Sequence, residues 1–414
     1  MTDVTIAVLD CDGKFKIKQD KIGDGSGMHR RTVLGGLSTA ALWSARARAQ
    51  TEEPVRVGLV IPLTGPFQTN GRQIEAGIKT FIDAHGDRFA GRQVQIITRD
   101  DAGVADNALR LSQELVTRER VHILMGYGNT PSAVGAAQIS ARGKVPQVIL
   151  VAATSSIMDR SPYMVRVAQT IPQIASTIGI WTARQGVRKV VTLVSDYGPG
   201  LDAEEWFSRM LEGAGGQISA KLRAPLVSPD FAPFLQRAAD ANPEAVFVFV
   251  PTGVGSIFIR QFVERGLDRS GVRIIAMSDV TDDDLLNNMG DAALGVISGG
   301  PYATHHQSEE NRTFVARFRR LNPGMRPNVV GVSAWDGMTL LKRALEATNG
   351  RSGGDALLAA MKGQSWESPR GPVTVDAGSR DIVQNIYMRK VERVDGELHN
   401  VEFETIPAVR DPAR

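Results

Sequence analysis

Short apolar runs alternate along this chain with longer stretches whose apolar positions return at helical spacing. Short runs bounded by turns read as buried parallel strands, and the stretches between them as helices. The first run is VRVGLVI within Pro54–Ile61, rich in β-branched residues. The turn Pro62-Leu63-Thr64-Gly65-Pro66 follows, then an amphipathic helix from Gly71 to about Ala84. A second strand over Gln93–Arg99 ends in Asp100-Asp101, and a helix from Asp106 to Arg118 leads to the next run. Strand and helix alternate at ~30–35 residues per unit, which predicts a parallel sheet with right-handed crossovers.

The stretch Val121–Asp159 organises this first half. Two apolar runs, Val121–Met125 and Val148–Val151, each stop at small polar residues that open a predicted helix. In the first cluster Thr130 is the expected N-cap, with Pro131 at the first helical position and Ser132 opening an Ala-rich run. In the second, Ala152-Ala153-Thr154-Ser155-Ser156 precedes Ile157, with Asp159 placed as a capping acid. Neighbouring parallel strands bring both clusters to the carboxyl edge of one sheet, where open α/β sheets bind ligands. Free N–H groups at a helix N-terminus favour a carboxylate there. The bland alternative is that these hydroxyls only cap their own helices.

The alternation restarts after Tyr163–Thr170. Helix Ile171–Gln185 leads to strand Val190–Val194, the loop Ser195–Gly200 and helix Asp202–Gly213. A strand near Gln217–Leu222, a helix after Asp230, strand Ala245–Val250, the loop Pro251-Thr252-Gly253, a helix to Arg265 and strand Arg273–Met277 follow, the last ending in Ser278-Asp279. Helices near Asn311–Leu321 and Gly331–Asn349 have no strands of their own and are expected to cover an existing lobe. Gly371–Val375, Ile386–Val394 and Glu397–Phe403 read as antiparallel strands, with an Asp395-Gly396 hairpin turn.

A length of 414 residues exceeds one ordinary core, which agrees with two lobes. The net charge of +3 comes from the N-terminal region: residues 1–49 hold eight Lys or Arg and five acids, leaving forty of each sign in the remainder. A neutral body makes no electrostatic case for nucleic acid or an anionic membrane. The single cysteine, Cys11, lies in the same region, so the body has no disulfide, no thiolate metal site and no cysteine nucleophile.

That region reads as a leader, residues 1–49. Arg30-Arg31 precede an apolar stretch from Val33 to Trp43, and Ala47 and Ala49 make an A-x-A cleavage pattern before Gln50. The apolar part is too short to span a membrane, so 28–49 is an export signal. It resembles a twin-arginine translocation signal. His29 stands where Ser or Thr is usual, so the general secretory route stays open. Residues 1–27 are polar and precede Met28, and we expect them to be a mis-assigned extension. Recovery of peptides from Thr2–Lys21 in the precursor would overturn this.

No enzyme chemistry assembles. His305-His306 lack a third metal ligand nearby. Asp282-Asp283-Asp284 read as a helix's first turn. Gly126 and Gly128 lack the rest of a dinucleotide fingerprint, and Gly331–Trp335 fails as a nucleophile elbow.

The motifs PLTGPFQTNGRQIEAG, Asp100-Asp101, GNTPSAVGAAQI, VAATSS, SDYGPG, GDAALGVI and SAWDGMTLLKRAL together resemble the solute-binding proteins of ABC importers, in the branched-chain amino-acid-binding (Leu/Ile/Val-binding protein-like) family, over about 54–403. The resemblance implies an α/β type I periplasmic binding protein fold: two Rossmann-like lobes with parallel central sheets, joined by a three-strand hinge. Lobe one is then 50–169 with 301–367, and lobe two 170–300 with 368–414. It implies a periplasmic, monomeric, non-enzymatic receptor without cofactor, closing on an amino acid or other small carboxylate and delivering it to a membrane permease. Family positions carry the ligand carboxylate on Thr130, with Ser132 close by. The ammonium acceptors fall on Ala152 and Thr154, the aromatic wall on Tyr197, and the acidic partner on Ser278 or Asp279. An aromatic position of the first loop is Asn70 here, and a proline position is Val151. A ligand-sensing domain for a signalling partner fits the same fold; a Rossmann-like enzyme is disfavoured by the missing phosphate loop and nucleophile–base pair.

Overall fold

The computed structural model describes residues 53–227 and 229–414, together with a two-stranded antiparallel ladder of Ile6–Leu9 with Phe15–Lys18. The chain forms two compact units, residues 1–52 and 53–414. The export signal expected over 28–49 lies outside the described residues; within the supposed extension 1–27, the ladder is the part described.

The larger unit carries two sheets. Strand β1 (Val55–Ile61) is followed by helix α1 (Gln68–His85), the short β2 (Arg88–Phe89), β3 (Arg92–Asp100), α2 (Ala105–Thr117), β4 (Ile123–Gly126), α3 (Thr130–Gly143), β5 (Gln147–Ile149) and β6 (Met164–Arg166). The strands lie in the order β2-β3-β1-β4-β5-β6 and are parallel except for the β2–β3 pair. Buried apolar residues of α1 (Ile74, Ile78, Phe81) cover one face of this sheet, and those of α2 and α3 (Leu115, Ala133, Ala136) the other. Removing each buried aliphatic or aromatic side chain from water contributes about 1.5–3 kcal/mol.

The second sheet begins after helix α4 (Ile171–Arg184), whose Thr170 closes a capping box with Gln173. It runs through β7 (Lys189–Ser195), α5 (Gly198–Gly213), β8 (Gln217–Ala224), α6 (Ala232–Asp240), β9 (Ala245–Phe249), α7 (Gly255–Glu264), β10 (Arg273–Met277) and β11 (Ile297–Gly300). Helices α8 (Glu309–Leu321), α9 (Val329–Ala347) and α10 (Gly354–Met361) return to the first sheet, and β12 (Ser365–Ser368), β13 (Gly371–Val375), β14 (Ile382–Val394) and β15 (Glu397–Val409) close the chain. The order is β8-β7-β9-β10-β11-β14-β13-β12, with β15 on β14; strands up to β11 are parallel and the rest antiparallel. Asp395 and Gly396, at φ 51° and 85°, make the left-handed turn expected between β14 and β15.

Helices α8 and α9, the two expected to cover an existing lobe, both pack on lobe one: α9 joins its core, and Phe314 and Phe318 of α8 lie against Ala76 of α1 and Val332 of α9. Helix α10 escaped the sequence reading because it is short and starts with Gly354. The stretch after 367, assigned to lobe two by sequence, adjusts in packing terms: Val373, Val375 and Ile382 join the core of lobe one beside Trp366. Alternating side chains of β13 face that core while its backbone pairs with β14.

Two glycines bring helix starts hard against the strand-end loops. A Cβ at Gly71 would lie 2.1 Å from the Pro62 carbonyl oxygen, and one at Gly200 only 1.9 Å from that of Ser195. Helices α1 and α5 therefore start directly over the carboxyl ends of β1 and β7, which sets the floor of the site.

Candidate functional site

The carboxyl ends of β1, β4 and β5 in lobe one face those of β7, β9 and β10 in lobe two. Between them lies a cleft of about 610 Å³, counting its part open to solvent. Of the residues expected from sequence, Asn70, Thr130, Ala152, Tyr197 and Asp279 line it; Ser132, Thr154 and Ser278 do not. Asp279 is the sole charged residue of the lining, and there is no Lys, Arg or His.

Helix α3 starts differently from expectation. Asn129, not Thr130, is the N-cap: its Oδ1 accepts from the Ser132 N–H at 2.9 Å while its Nδ2 donates to the Gly103 carbonyl at 2.9 Å. Asn is as good a cap as Ser or Asp, and here it also ties down the neighbouring loop. Thr130 is thus the first helical residue, and its hydroxyl is freed from capping to meet the Thr154 hydroxyl at 3.1 Å. Pro131 has no N–H, and those of Ser132 and Ala133 go to Asn129, so Thr130 is the first-turn position left to offer an N–H to a ligand. The chain reaches this point through buried Tyr127 at φ 67°, an uncommon conformation for a bulky residue.

The second cluster opens no α-helix. Ser155–Arg160 is a 3-10 turn, and Thr154 makes no side-chain cap. Asp159 instead pairs with Arg414 at 2.7 Å. The loop is held from below by fully buried Arg166, which donates to the carbonyls of Ala152 (3.3 Å) and Thr154 (2.8 Å) and to Asp381 (2.6 Å). Asn70 donates to the Gly128 carbonyl at 3.0 Å, joining α1 to the loop before α3. It does not furnish the aromatic wall. That role falls to Phe67 and to lobe two.

In lobe two the Tyr197 ring lies parallel to Phe249, 6.2 Å between centroids and 7° between planes. Burial, and then the nearby Asp279 charge, push the Tyr197 hydroxyl well above its usual range, so it stays protonated. Ser278 is buried beside β11 and does not line the cleft: a Cβ on Gly300 would strike its Cβ at 2.4 Å. Asp279 faces the cleft. Its carboxylate receives long contacts from Gln169 Nε2 (3.3 Å), Thr252 Oγ1 (3.5 Å) and Ser278 Oγ (3.5 Å), and no ion pair includes it among the described residues. Burial raises its pKa.

The three acids 282–284 do not open a helix. Asp282 accepts from Asn328 Nδ2 at 2.8 Å, Asp283 stands 3.8 Å from Arg389, and Asp284 accepts from the Arg326 N–H at 2.7 Å. They are tied to partners from the chain's later segments, and Asn328 is the N-cap of α9. Among the described residues no group of His, Cys, Asp and Glu could hold a metal ion.

Residues 54–397 match the profile of the family described as periplasmic binding protein. The chain belongs to the periplasmic binding protein family. It is 39% identical over 382 residues to Leu/Ile/Val-binding protein homolog 6 of Brucella melitensis, covering 91% of this chain and 97% of that protein. A solute-binding protein of an ABC transporter from Rhodopseudomonas palustris BisB5, solved with 3,4-dihydroxybenzoic acid, is 49% identical with a TM-score of 0.86, covering 87% of this chain and 99% of that one. A second, from R. palustris with 4-hydroxybenzoate, is 35% identical with a TM-score of 0.84, at 87% and 99% coverage. The fold is that of type I periplasmic binding proteins, and this chain is an ABC-transporter solute-binding protein. No helix among its described residues is long and apolar enough to cross a membrane.

Phe67, Gln169, Phe249 and Thr252 were missed by sequence reasoning. The strand-end loop Pro251-Thr252-Gly253 was visible as a loop, and its position on the sheet edge was the signal that pointed to Thr252.

Proposed function

We propose that this protein is an exported receptor that closes its two lobes on a small aromatic carboxylate and delivers it to the permease of an ABC importer. The observation that carries the reading is the lining of the cleft. One end offers the N-terminus of α3 with Thr130, neutral donors suited to a carboxylate. The walls are apolar, with Tyr197 parallel to Phe249 as a flat face for a ring. The ligands of the R. palustris proteins fit the same reading. Export by the leader's signal, a periplasmic location, a monomeric state and action without cofactor or catalysis belong to this proposal.

The amino-acid reading competes, because Asp279 offers a partner for an ammonium and a relative is named for branched-chain amino acids. Calorimetry of the mature protein with benzoate, 4-hydroxybenzoate, 3,4-dihydroxybenzoate and leucine separates the two. We expect binding of the aromatic acids and little of leucine. Tight leucine binding with no response to the aromatic acids overturns the proposal.

A further inference from the structure

We infer that Asp279 is the specificity residue that demands a ring hydroxyl on the ligand, at the end of the ring away from its carboxylate. The inference rests on the aromatic-carboxylate reading and asks which aromatic acids the cleft accepts.

The lining is polarised. A ligand carboxylate is disfavoured beside Asp279, because two carboxylates in a poorly solvated cleft repel unless they take up a proton, and no Lys, Arg or His lines the cleft to relieve them. It turns to the Thr130 end. The opposite end of the ring then approaches the Asp279 carboxylate. From neighbouring side chains that carboxylate receives only long hydrogen-bond contacts, from neutral groups at 3.3 and 3.5 Å; the Arg389 charge acts on it from outside the lining without forming an ion pair. Asp279 is only partly buried, so its remaining acceptor positions are open to solvent when the cleft holds no ligand. Closure on an unsubstituted ring would remove that solvent and set C–H groups against a charge with unfilled acceptor positions, which is costly. A ring O–H resolves this by donating to the carboxylate, in the strong class of charge-assisted hydrogen bonds.

The neighbours of Asp279 support an incoming donor. Gln169 Nε2 and Thr252 Oγ1 both spend a donor on Asp279. The Ser278 hydroxyl, 3.5 Å from the carboxylate, is buried beside Gly300 and does not line the cleft. Tyr197 keeps its proton but stacks by its face on Phe249, a geometry that serves ring contact rather than anion binding. The acceptor surplus at this end is matched by the one donor a hydroxylated ring brings. Tyr197 and Phe249 keep the ring in plane, so the hydroxyl's position on the ring decides whether it reaches Asp279.

The test is calorimetry on the mature wild type and the Asp279→Asn and Asp279→Ala variants, with benzoate, 4-hydroxybenzoate and 3-hydroxybenzoate as probes and thermal melts to confirm folding. Wild type should bind a hydroxybenzoate roughly tenfold to a hundredfold tighter than benzoate, the range for a hydrogen bond to a charged group. Both variants should lose most of that preference, and Asp279→Ala should bind benzoate at least as tightly as wild type does. Equal binding of benzoate and both hydroxybenzoates by wild type overturns the inference and leaves the aromatic-carboxylate reading standing. Equal losses for all probes in the folded variants also overturn it, since Asp279 would then act on closure. Leucine binding without any aromatic response overturns the underlying reading instead.

Discussion

The Asp411 carboxylate accepts a hydrogen bond from the Ser155 hydroxyl, 256 residues earlier in the chain. Asp411 also stands 3.7 Å from the guanidinium of Arg166, which holds the Ala152 and Thr154 carbonyls. The tail thus braces the strand-end loop that edges the cleft without touching a ligand. Asp411→Ala should lower unfolding stability by roughly 1–3 kcal/mol, because it strands a buried hydroxyl and part of a buried charge. It should also weaken ligand binding, and Asp411→Glu should recover part of both. Urea unfolding and calorimetry check this. Loss of stability with unchanged affinity would show that the brace does not set the loop's binding geometry.

The separation of cap from ligand group at α3 gives a paired test. Asn129→Ala should cost about 1 kcal/mol of folding stability, the usual value for an N-cap. Thr130→Val should leave folding nearly unchanged and weaken carboxylate binding by about 1.5–3 kcal/mol. Unaltered affinity in folded Thr130→Val would remove Thr130 from the site.

How much of this was legible follows from what each residue's role depends on. The β–α alternation showed itself because buried parallel strands leave short apolar runs, and the strand ends placed Thr130 and Ala152 on the edge of one sheet and Tyr197 and Asp279 on that of the other. In the sequence Thr130 reads as the cap because Asn and Thr are both good caps and adjacent, and only the extended backbone of Asn129 (φ −156°) and its bond from the Ser132 N–H separate them. The buried arginines Arg166, Arg370 and Arg389 were invisible, since an arginine reads as surface until its carboxylate partners from distant segments are in place. The acids 282–284 failed for the same reason: a solvated helix start and a buried cluster with distant partners have one local pattern.

Asp282 carries a pH signature of its own. Burial first, then the charges of Asp283 and Asp284, raise its pKa to about 8. The folded protein therefore holds this proton where the unfolded chain, near 3.8, has lost it. The stabilisation is full below pH 3.8 and is lost as pH rises towards 8. Asp282→Asn keeps an acceptor for Asn328 and cannot ionise. The variant should be at least as stable as wild type at pH 8, with a flatter stability curve between pH 4 and 8. Strong destabilisation at pH 8 would mean that the ionised form is the one the fold uses.

Asp202 sets a second pH dependence, this time between the lobes. It lies on α5 of lobe two, and its carboxyl is held by a hydrogen bond from Thr154 of lobe one. Burial, followed by the Glu205 charge, outweighs that bond and raises the pKa to about 6. Between 3.8 and about 6 the folded state binds more protons than the unfolded chain, so stability falls as pH rises through this window and levels off above it. The full shift is worth at most about 3 kcal/mol, reduced by solvent screening because Asp202 is only partly buried. Asp202→Asn keeps an acceptor for the Thr154 hydroxyl and drops the charge. Above pH 6 the variant should therefore be more stable than wild type, while near pH 4 the two should converge. Melting curves at pH 4.5, 6 and 7.5 read this directly. A variant less stable than wild type at pH 7.5 would show that the ionised Asp202 is a net attraction between the lobes, with Thr154 rather than burial deciding its state.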